Sequence, residues 1–227
     1  MAFLSDDRRS ESGLRLPRGD AAEIYLRLRS RRGDRENECG DSFTGHVLAC
    51  ALSICLAELD GRADDLGRVL GLARDDLRGL IAGWAPEAAS FVDIATQADT
   101  IELDDEEDQI RQLLERYRGD DSTETSWLAS ILTKRSMRPR HLWQDLGLVD
   151  RKELGRLMAE RFPLLAERNV NHMKWKKFFY RSLCELEGFV LCASPSCREC
   201  SDFHDCFGDE SGESALARLG DSSSRDR

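Results

Sequence analysis

The chain has no apolar run of about 18 residues, the shortest that crosses a membrane as a helix, so no segment reads as membrane-spanning. Its first residues, MAFLSDDRRSESG, lack the apolar stretch of a secretory signal. Together these absences predict a cytoplasmic protein with no membrane partner. Positive charge is also in deficit: 33 Lys and Arg stand against 43 Asp and Glu, for a net charge of −10. That balance speaks against a general nucleic-acid binder, because the phosphate backbone requires a basic surface. It disfavours a cluster-sensing transcription factor for the same reason, and no basic recognition helix is seen. There is no Gly-rich phosphate loop, no nucleophile elbow and no pair of carboxylates at a telling spacing. The sequence therefore offers no enzyme site. Only five prolines interrupt it, and no stretch alternates apolar with polar residues as a strand would.

What is present is helical period and cysteine. The length of 227 residues allows one domain or two small ones, and a 41 % hydrophobic content suffices for a core. The fold class expected is all-α, a helical bundle. Residues 1–19 and 208–227 are polar and read as tails, 20–188 as a helical domain, and 189–207 as a Cys-rich loop. Asp20 with Glu23 resembles a capping box opening a helix. Residues 44–59 are apolar nearly all round, as a central buried helix would be. Ile110, Leu113, Leu114 and Tyr117 mark a helix over 104–118 that Gly119 can end, and Trp127, Leu128, Ile131 and Leu132 mark the next. Asp150 and Glu153 form a second capping-box pattern before a helix that Pro163 breaks. A last long helix is expected over 171–187, closed by Gly188.

A weak internal repeat runs through this pattern. DLGRVLGL at 65–72 resembles HLWQDLGL at 141–148. Each is followed by a second helical segment and then a proline, Pro86 or Pro163, with one extra residue in the second copy. Two related helical hairpins would explain this.

Eight cysteines in a cytoplasmic chain are expected to be thiols or metal ligands rather than disulfides. They are clustered. The sharpest signal is Cys192-x4-Cys197-x2-Cys200-x5-Cys206, four thiols in a short segment that Pro195 interrupts. Such a segment must wrap to bring its sulfurs together, and a single metal centre is the economical reason. Its first three ligands follow the x4, x2 spacing of plant-type iron–sulfur ferredoxins, although the fourth is much nearer than in those proteins. Structural zinc sites commonly use two close pairs, and only Cys197 and Cys200 form one here. Thiolates suit iron–sulfur and zinc alike. Iron–sulfur, zinc and reactive thiols thus remain open on spacing.

In the helix before this loop, Trp175, Phe178, Phe179, Ser182, Leu183 and Leu186 share one face that reads as core. Lys174, Lys177 and Arg181 lie along one side, in a stretch with four bases and no acid. The bland reading is a solvated face; the functional one is an attractor for an anion or an acidic partner. Phe189, Val190 and Leu191, then Phe203 and Phe207, can tuck the loop against the helical body. His204 lies inside the loop as a candidate second-shell group or extra ligand, and Cys184 is a candidate neighbour. Cys50 and Cys55 point about 140° apart on one helix, so they cannot share a metal and read as core. His46 reads as a core or helix-start residue, His172 as a helix-start residue, and His141 as a packing or partner residue; Cys39 has no assignment. The acidic run Asp99–Asp108 reads as a linker and helix start.

The string MKWKKFFYR, then LCE-x-EGF, then C-x4-C-x2-C-x5-CFG within residues 169–208 closely resembles the NifQ family. HLWQDLGL with Arg151 to Leu154, and FP-x-LA-x-RN from Phe162 to Asn169, are also similar to it. The likeness is dense from Trp127 to Gly208, looser from Gly45 to Pro86, and does not reach the tails. It implies a carrier rather than an enzyme: an iron–sulfur protein that holds a molybdenum–iron–sulfur species and supplies molybdenum for the iron–molybdenum cofactor of nitrogenase. The ligands it implies are Cys192, Cys197, Cys200 and Cys206. The implied recipients are the NifEN scaffold with NifH, and the implied source is molybdate or another molybdenum species. The alternative is a helical interaction protein whose Cys192–Cys206 segment is a structural zinc knuckle.

Overall fold

The stretch FTGHVLACALSICLAEL has no polar face, and it forms the central helix of the molecule, α2 (Phe43–Leu59), buried on nearly every side. A computed structural model describes residues 20–29, 43–59, 63–186, 188, 203–208, 210, 214 and 216. Among these every regular element is helical, and one continuous apolar core joins them. A short helix, α1 (Ala21–Arg29), lies on α2, and its start is capped as expected: Asp20 Oδ1 accepts the N–H of Glu23 at 3.1 Å. The acidic run ends in α5 (Asp105–Arg116), which carries both halves of a capping box. Glu107 N–H donates to Asp104 Oδ1 at 2.8 Å, and Asp104 N–H donates to Glu107 Oε2 at 3.2 Å. The first turn of α5 holds four carboxylates, Asp105 to Asp108, at the end of a helix where negative charge is favourable. A second buried helix, α6 (Thr123–Ser136), follows, capped by Ser122.

The two similar segments adopt the same local structure. The first forms α3 (Leu66–Leu70) and the second α7 (Leu142–Asp145). Each ends in a glycine held in the left-handed region, Gly71 at φ 74° and Gly147 at φ 73°. There the chain closes a helix with two backbone bonds. Gly71 N–H reaches Arg68 O at 3.3 Å and Leu72 N–H reaches Gly67 O at 2.8 Å; Gly147 N–H reaches Gln144 O at 3.0 Å and Leu148 N–H reaches Trp143 O at 2.9 Å. Helices α4 (Arg74–Trp84) and α8 (Arg151–Arg161) follow, of eleven residues each. Both stop at a residue of similar conformation, Ala85 (φ −146°, ψ 56°) and Phe162 (φ −133°, ψ 55°). A proline then begins a short turn, Pro86–Ser90 after α4 and α9 (Pro163–Arg168) after α8.

Each copy also meets the helix that precedes the other copy. A Cβ on Gly71 would strike Ser130 O and Lys134 Cγ of α6, each at 2.9 Å, whereas one on Gly147 would strike Ile54 Cγ1 at 2.5 Å and Cys50 O at 3.1 Å on α2. Trp127 of α6 donates its Nε1–H to Asp76 of α4 at 3.0 Å, and His46 of α2 meets Glu153 of α8 at 3.3 Å. The first copy's turn and second helix thus touch α6, and the second copy's touch α2, while α3 and α4 also pack on α2 and α7 on α6. The matching turns and helix stops support the reading of two related helical hairpins.

Five local expectations change. The last long helix, α10, runs from Trp175 to Leu186 rather than from 171. Asn169 folds the preceding residues into a turn instead: its Oδ1 accepts from Met173 N–H at 2.8 Å and its Nδ2–H donates to Met173 O at 2.9 Å. His172, at φ 53°, sits in that turn and not at a helix start. The apolar face of α10 is buried from Trp175 to Ser182, but Leu183 is half-buried and Leu186 is 41 % exposed, so the end of the stripe is not core. At Asp150 only half of the expected capping box forms, because the Glu153 carboxylate turns to Val149 N–H (2.8 Å) and His46. Beyond α11 (Phe203–Phe207), within the stretch expected to be a tail, Ser214 and Leu216 are buried.

Candidate metal centre

The segment between α10 and α11 starts and returns at opposite ends of one helix. Gly188 follows the C-terminal end of α10. At the other end, Lys174 N–H donates to Cys206 O at 2.8 Å, which fixes α11 beside the first turn of α10. Twelve helical residues separate these anchors, about 18 Å of axis at 1.5 Å per residue. The segment bearing Cys192, Cys197 and Cys200 therefore leaves one end of α10 and re-enters the described structure at the other. Those three cysteines, with Phe189, Val190 and Leu191, lie outside the described residues, as does Cys39. Cys206 is described, half-buried against the core with Phe207. It lies in a single helical turn rather than in irregular chain, and Gly208 N–H closes that turn onto His204 O at 2.8 Å. Among the described residues no group of three metal-binding side chains converges.

The other candidates sort by position. His204 is exposed one turn before Gly208, and its carbonyl accepts from Lys174 Nζ at 3.2 Å. Cys184 sits near the far end of α10, about 13 Å of helix beyond Trp175, so the fold does not bring it to Cys206. Cys50 and Cys55 are fully buried on different sides of α2. Cys50 Sγ lies 3.6 Å from His46 Nε2, and burial pushes its thiol far up. Cys55 Sγ accepts from Arg135 at 3.6 Å, and burial pushes its thiol up to about 11. Neither is poised to bind a metal as thiolate at neutral pH. His46 also sits 2.8 Å from the Tyr25 hydroxyl, so it links α1, α2 and α8 as a packing residue.

The basic stripe of α10 is divided by its neighbours. Arg181 Nε–H pairs with Glu185 at 2.8 Å. Lys174 reaches the carbonyl of His204, and among the described residues no acid pairs with Lys177. Lys176, which the helical period had left off the stripe, is the lysine held most firmly. Its Nζ donates to Asp145 Oδ2 and Arg140 O, each at 2.7 Å, and to Arg138 O. Burial lowers its pKa, partly offset by Asp145.

Asp145 belongs to a buried charge network under this end of α10. Arg135, 0 % exposed, donates to both Glu58 carboxylate oxygens at 2.8 Å and to Asp145 O at 2.6 Å. Arg138 and Arg140 reach the same Glu58 at 3.0 and 3.5 Å. Burial alone would raise the Glu58 pKa; the Arg135 hydrogen bonds and the surrounding arginines outweigh it and hold the carboxyl below its usual range. Helices α2, α6, α7 and α10 are thereby joined by paired charges, and removing one partner would leave the other buried and uncompensated.

Between α7, α10 and α11 opens a cleft of about 360 Å³. Arg140, His141, Lys174, Lys176 and Lys177 line it, with Asp205 and Glu210. Glu210 is nearly buried and is engaged by Arg151 at 3.2 Å and His141 Nδ1 at 3.5 Å. His141 thus ties the second LGL segment to residues following the cysteine segment. Sequence reasoning missed Arg140, Lys176 and Glu210; each is placed by tertiary neighbours and carries no spacing signal.

Comparison with known proteins bears on the same region. The NifQ family profile matches residues 47–208, which include all four clustered cysteines. The chain is 39 % identical over 173 residues to a NifQ homolog of Sinorhizobium fredii, covering 76 % of this chain and 75 % of that one. It is 42 % identical over 152 residues to NifQ of Azotobacter vinelandii (62 % and 78 % covered) and 39 % identical over 163 residues to NifQ of Rhodobacter capsulatus (72 % and 87 %). No solved structure matches the chain. With its profile spanning more than half the sequence and its relatives covered over most of their length, this chain belongs to the NifQ family of nitrogen-fixation proteins.

Proposed function

We propose that this protein is a cytoplasmic molybdenum–iron–sulfur carrier that supplies molybdenum for assembly of the nitrogenase iron–molybdenum cofactor, acting as a donor and not as a catalyst. The observation that carries the reading is the Cys192-x4-Cys197-x2-Cys200-x5-Cys206 set inside a chain of the NifQ family. The cluster is cargo. Oxidised molybdate is a hard oxyanion poorly matched to thiolates, and sulfide in a cluster core supplies the soft surroundings that thiolates favour. Three cysteines hold irons in this scheme, while molybdenum takes a corner with another ligand. A cluster held near the surface can be handed on to an acceptor, whereas a deeply buried one cannot. Attachment of Cys206 to the start of α10 supports this reading by giving the segment a fixed far end. The recipients proposed are the NifEN scaffold and NifH.

The test is metal and sulfide analysis of protein purified anaerobically from a molybdenum-replete host. Iron and acid-labile sulfide in near-equal amounts, with molybdenum after loading, are expected. Stoichiometric zinc without iron overturns the reading in favour of a zinc knuckle. Cys200→Ser is expected to lose the cluster, and Cys50→Ser to keep it.

A further inference from the structure

The cleft between α7, α10 and α11 holds a concentration of positive charge that the rest of the molecule does not explain. The chain as a whole is acidic, at net −10. Yet Arg140, Lys174, Lys176 and Lys177 converge here against only two acids, Asp205 and Glu210. Of these acids, Glu210 is already engaged by Arg151 and His141. Lys176 and Arg140 are bound to Asp145 and Glu58, which fixes the floor of the cleft. Lys174 reaches only a carbonyl oxygen, and Lys177 meets no acid among the described residues. Their charges are left for something else.

Helix polarity adds to this excess. Helices gather acids in their first turn, where the macrodipole is positive, as α5 does with four. The first turn of α10 holds no acid and instead carries Lys176 and Lys177, with Lys174 just before it. With Lys176 taken up by Asp145, Lys174 and Lys177 are left at the positive end of the helix, where they repel each other and the dipole. An anion seated among them relieves both, and backbone N–H groups at a helix start are good donors to oxygen.

We propose that this cleft binds a tetrahedral oxyanion, held by Lys174, Lys177 and the start of α10, with Arg140 and His141 also lining it. Asp205 lines the same cleft and Lys174 is bonded to Cys206, so the ion sits next to the fourth cysteine of the set. Recognition of the ion rests on charge and geometry alone. Its identity as molybdate rests on the carrier reading above; sulfate and phosphate share the chemistry and serve as competitors.

The experiment is equilibrium dialysis of radiolabelled molybdate against the full-length protein, purified anaerobically, at low ionic strength. Lys177→Glu is compared with Arg181→Glu, which makes the same charge change outside the cleft. The expected result is reversible binding that tungstate and sulfate displace, weakened about tenfold or more by Lys177→Glu and about threefold or less by Arg181→Glu. Equal weakening by both, no effect of either, or no binding by the parent protein overturns the proposal. Circular dichroism confirms that both variants keep their helices. Iron and sulfide are assayed on the same preparations. Their absence from the parent protein defeats the carrier reading, while the comparison of the two variants still decides the cleft.

Discussion

The amide of Lys174 donates to the carbonyl of Cys206 at 2.8 Å, joining the residue before α10 to the last cysteine of the clustered set. This bond depends on Cys206 lying in a closed helical turn, and Gly208 closes that turn. A Cβ at Gly208 would fall well inside contact distance of His204 O, so the turn could not close around a larger residue. Gly208→Val is expected to lower iron content per chain several-fold while leaving the main thermal transition within a few degrees. Metal analysis and calorimetry on the same preparation check it. A large fall in melting temperature would show that α11 supports the fold rather than the metal segment.

The two left-handed glycines make a paired prediction. Alanine at Gly71 or Gly147 takes on a left-handed backbone, about 1–2 kcal/mol for an L-residue, and also clashes with the facing helix. The obstacle at Gly71 is the α6 backbone, at Ser130 O, and Cγ of Lys134. At Gly147 it is the Ile54 side chain and the α2 backbone at Cys50 O. Each variant is expected to be destabilised by about 2–4 kcal/mol in urea unfolding. Loss of less than about 1 kcal/mol at either site would mean that its turn does not press on the facing helix as described.

The buried Arg135–Glu58 pair predicts both a mutational and a pH effect. Arg135→Leu leaves Glu58 with only the more exposed Arg138 and Arg140, and breaking such a buried pair typically costs about 3–5 kcal/mol. Arg135→Leu with Glu58→Leu is expected to recover part of that loss. Because the folded-state pKa of Glu58 lies below its unfolded value, its contribution is present above the ordinary glutamate range. It disappears as pH falls through the depressed folded value. Urea midpoints measured from about pH 5 down to about pH 3 should therefore fall more steeply in the parent protein than in Glu58→Gln. Parallel slopes would sink the assignment.

Most of the helical framework was legible because it follows from local pattern. The apolar run of α2, the acidic start of α5 and the glycine stops of the two LGL segments each state their own structure. The candidate site was legible as far as Cys206, Lys174 and Lys177. What escaped depends on partners far along the chain. Lys176 is one residue from Lys177, but Asp145 pulls it under the helix while Lys177 stays exposed. Glu210 stands in a Ser/Gly/Asp-rich stretch with nothing to mark it, yet Arg151 and His141 hold it. The helix expected from residue 171 begins only at Trp175, because the Asn169 side chain folds a turn ahead of it.

Thiol reactivity separates the core cysteines from the rest. Cys50 and Cys55 are fully buried, and burial pushes both thiols up, Cys55 to about 11. The thiolate is the reactive species, so at pH 7.5 these two carry almost none of it and are closed to reagent as well. Cys184 and Cys206 are half-buried and reachable. In native protein stripped of metal under argon, a maleimide is expected to label Cys184 and Cys206 within minutes. Cys50 and Cys55 should stay unlabelled until the chain is unfolded in guanidinium. Peptide mass spectrometry before and after unfolding reads this directly. Labelling of Cys55 at a rate near that of Cys184 would mean that the α2–α6 contact at Arg135 opens in the native state. In that case Arg135→Leu should speed it further, while a rate unchanged by that substitution would place the opening elsewhere.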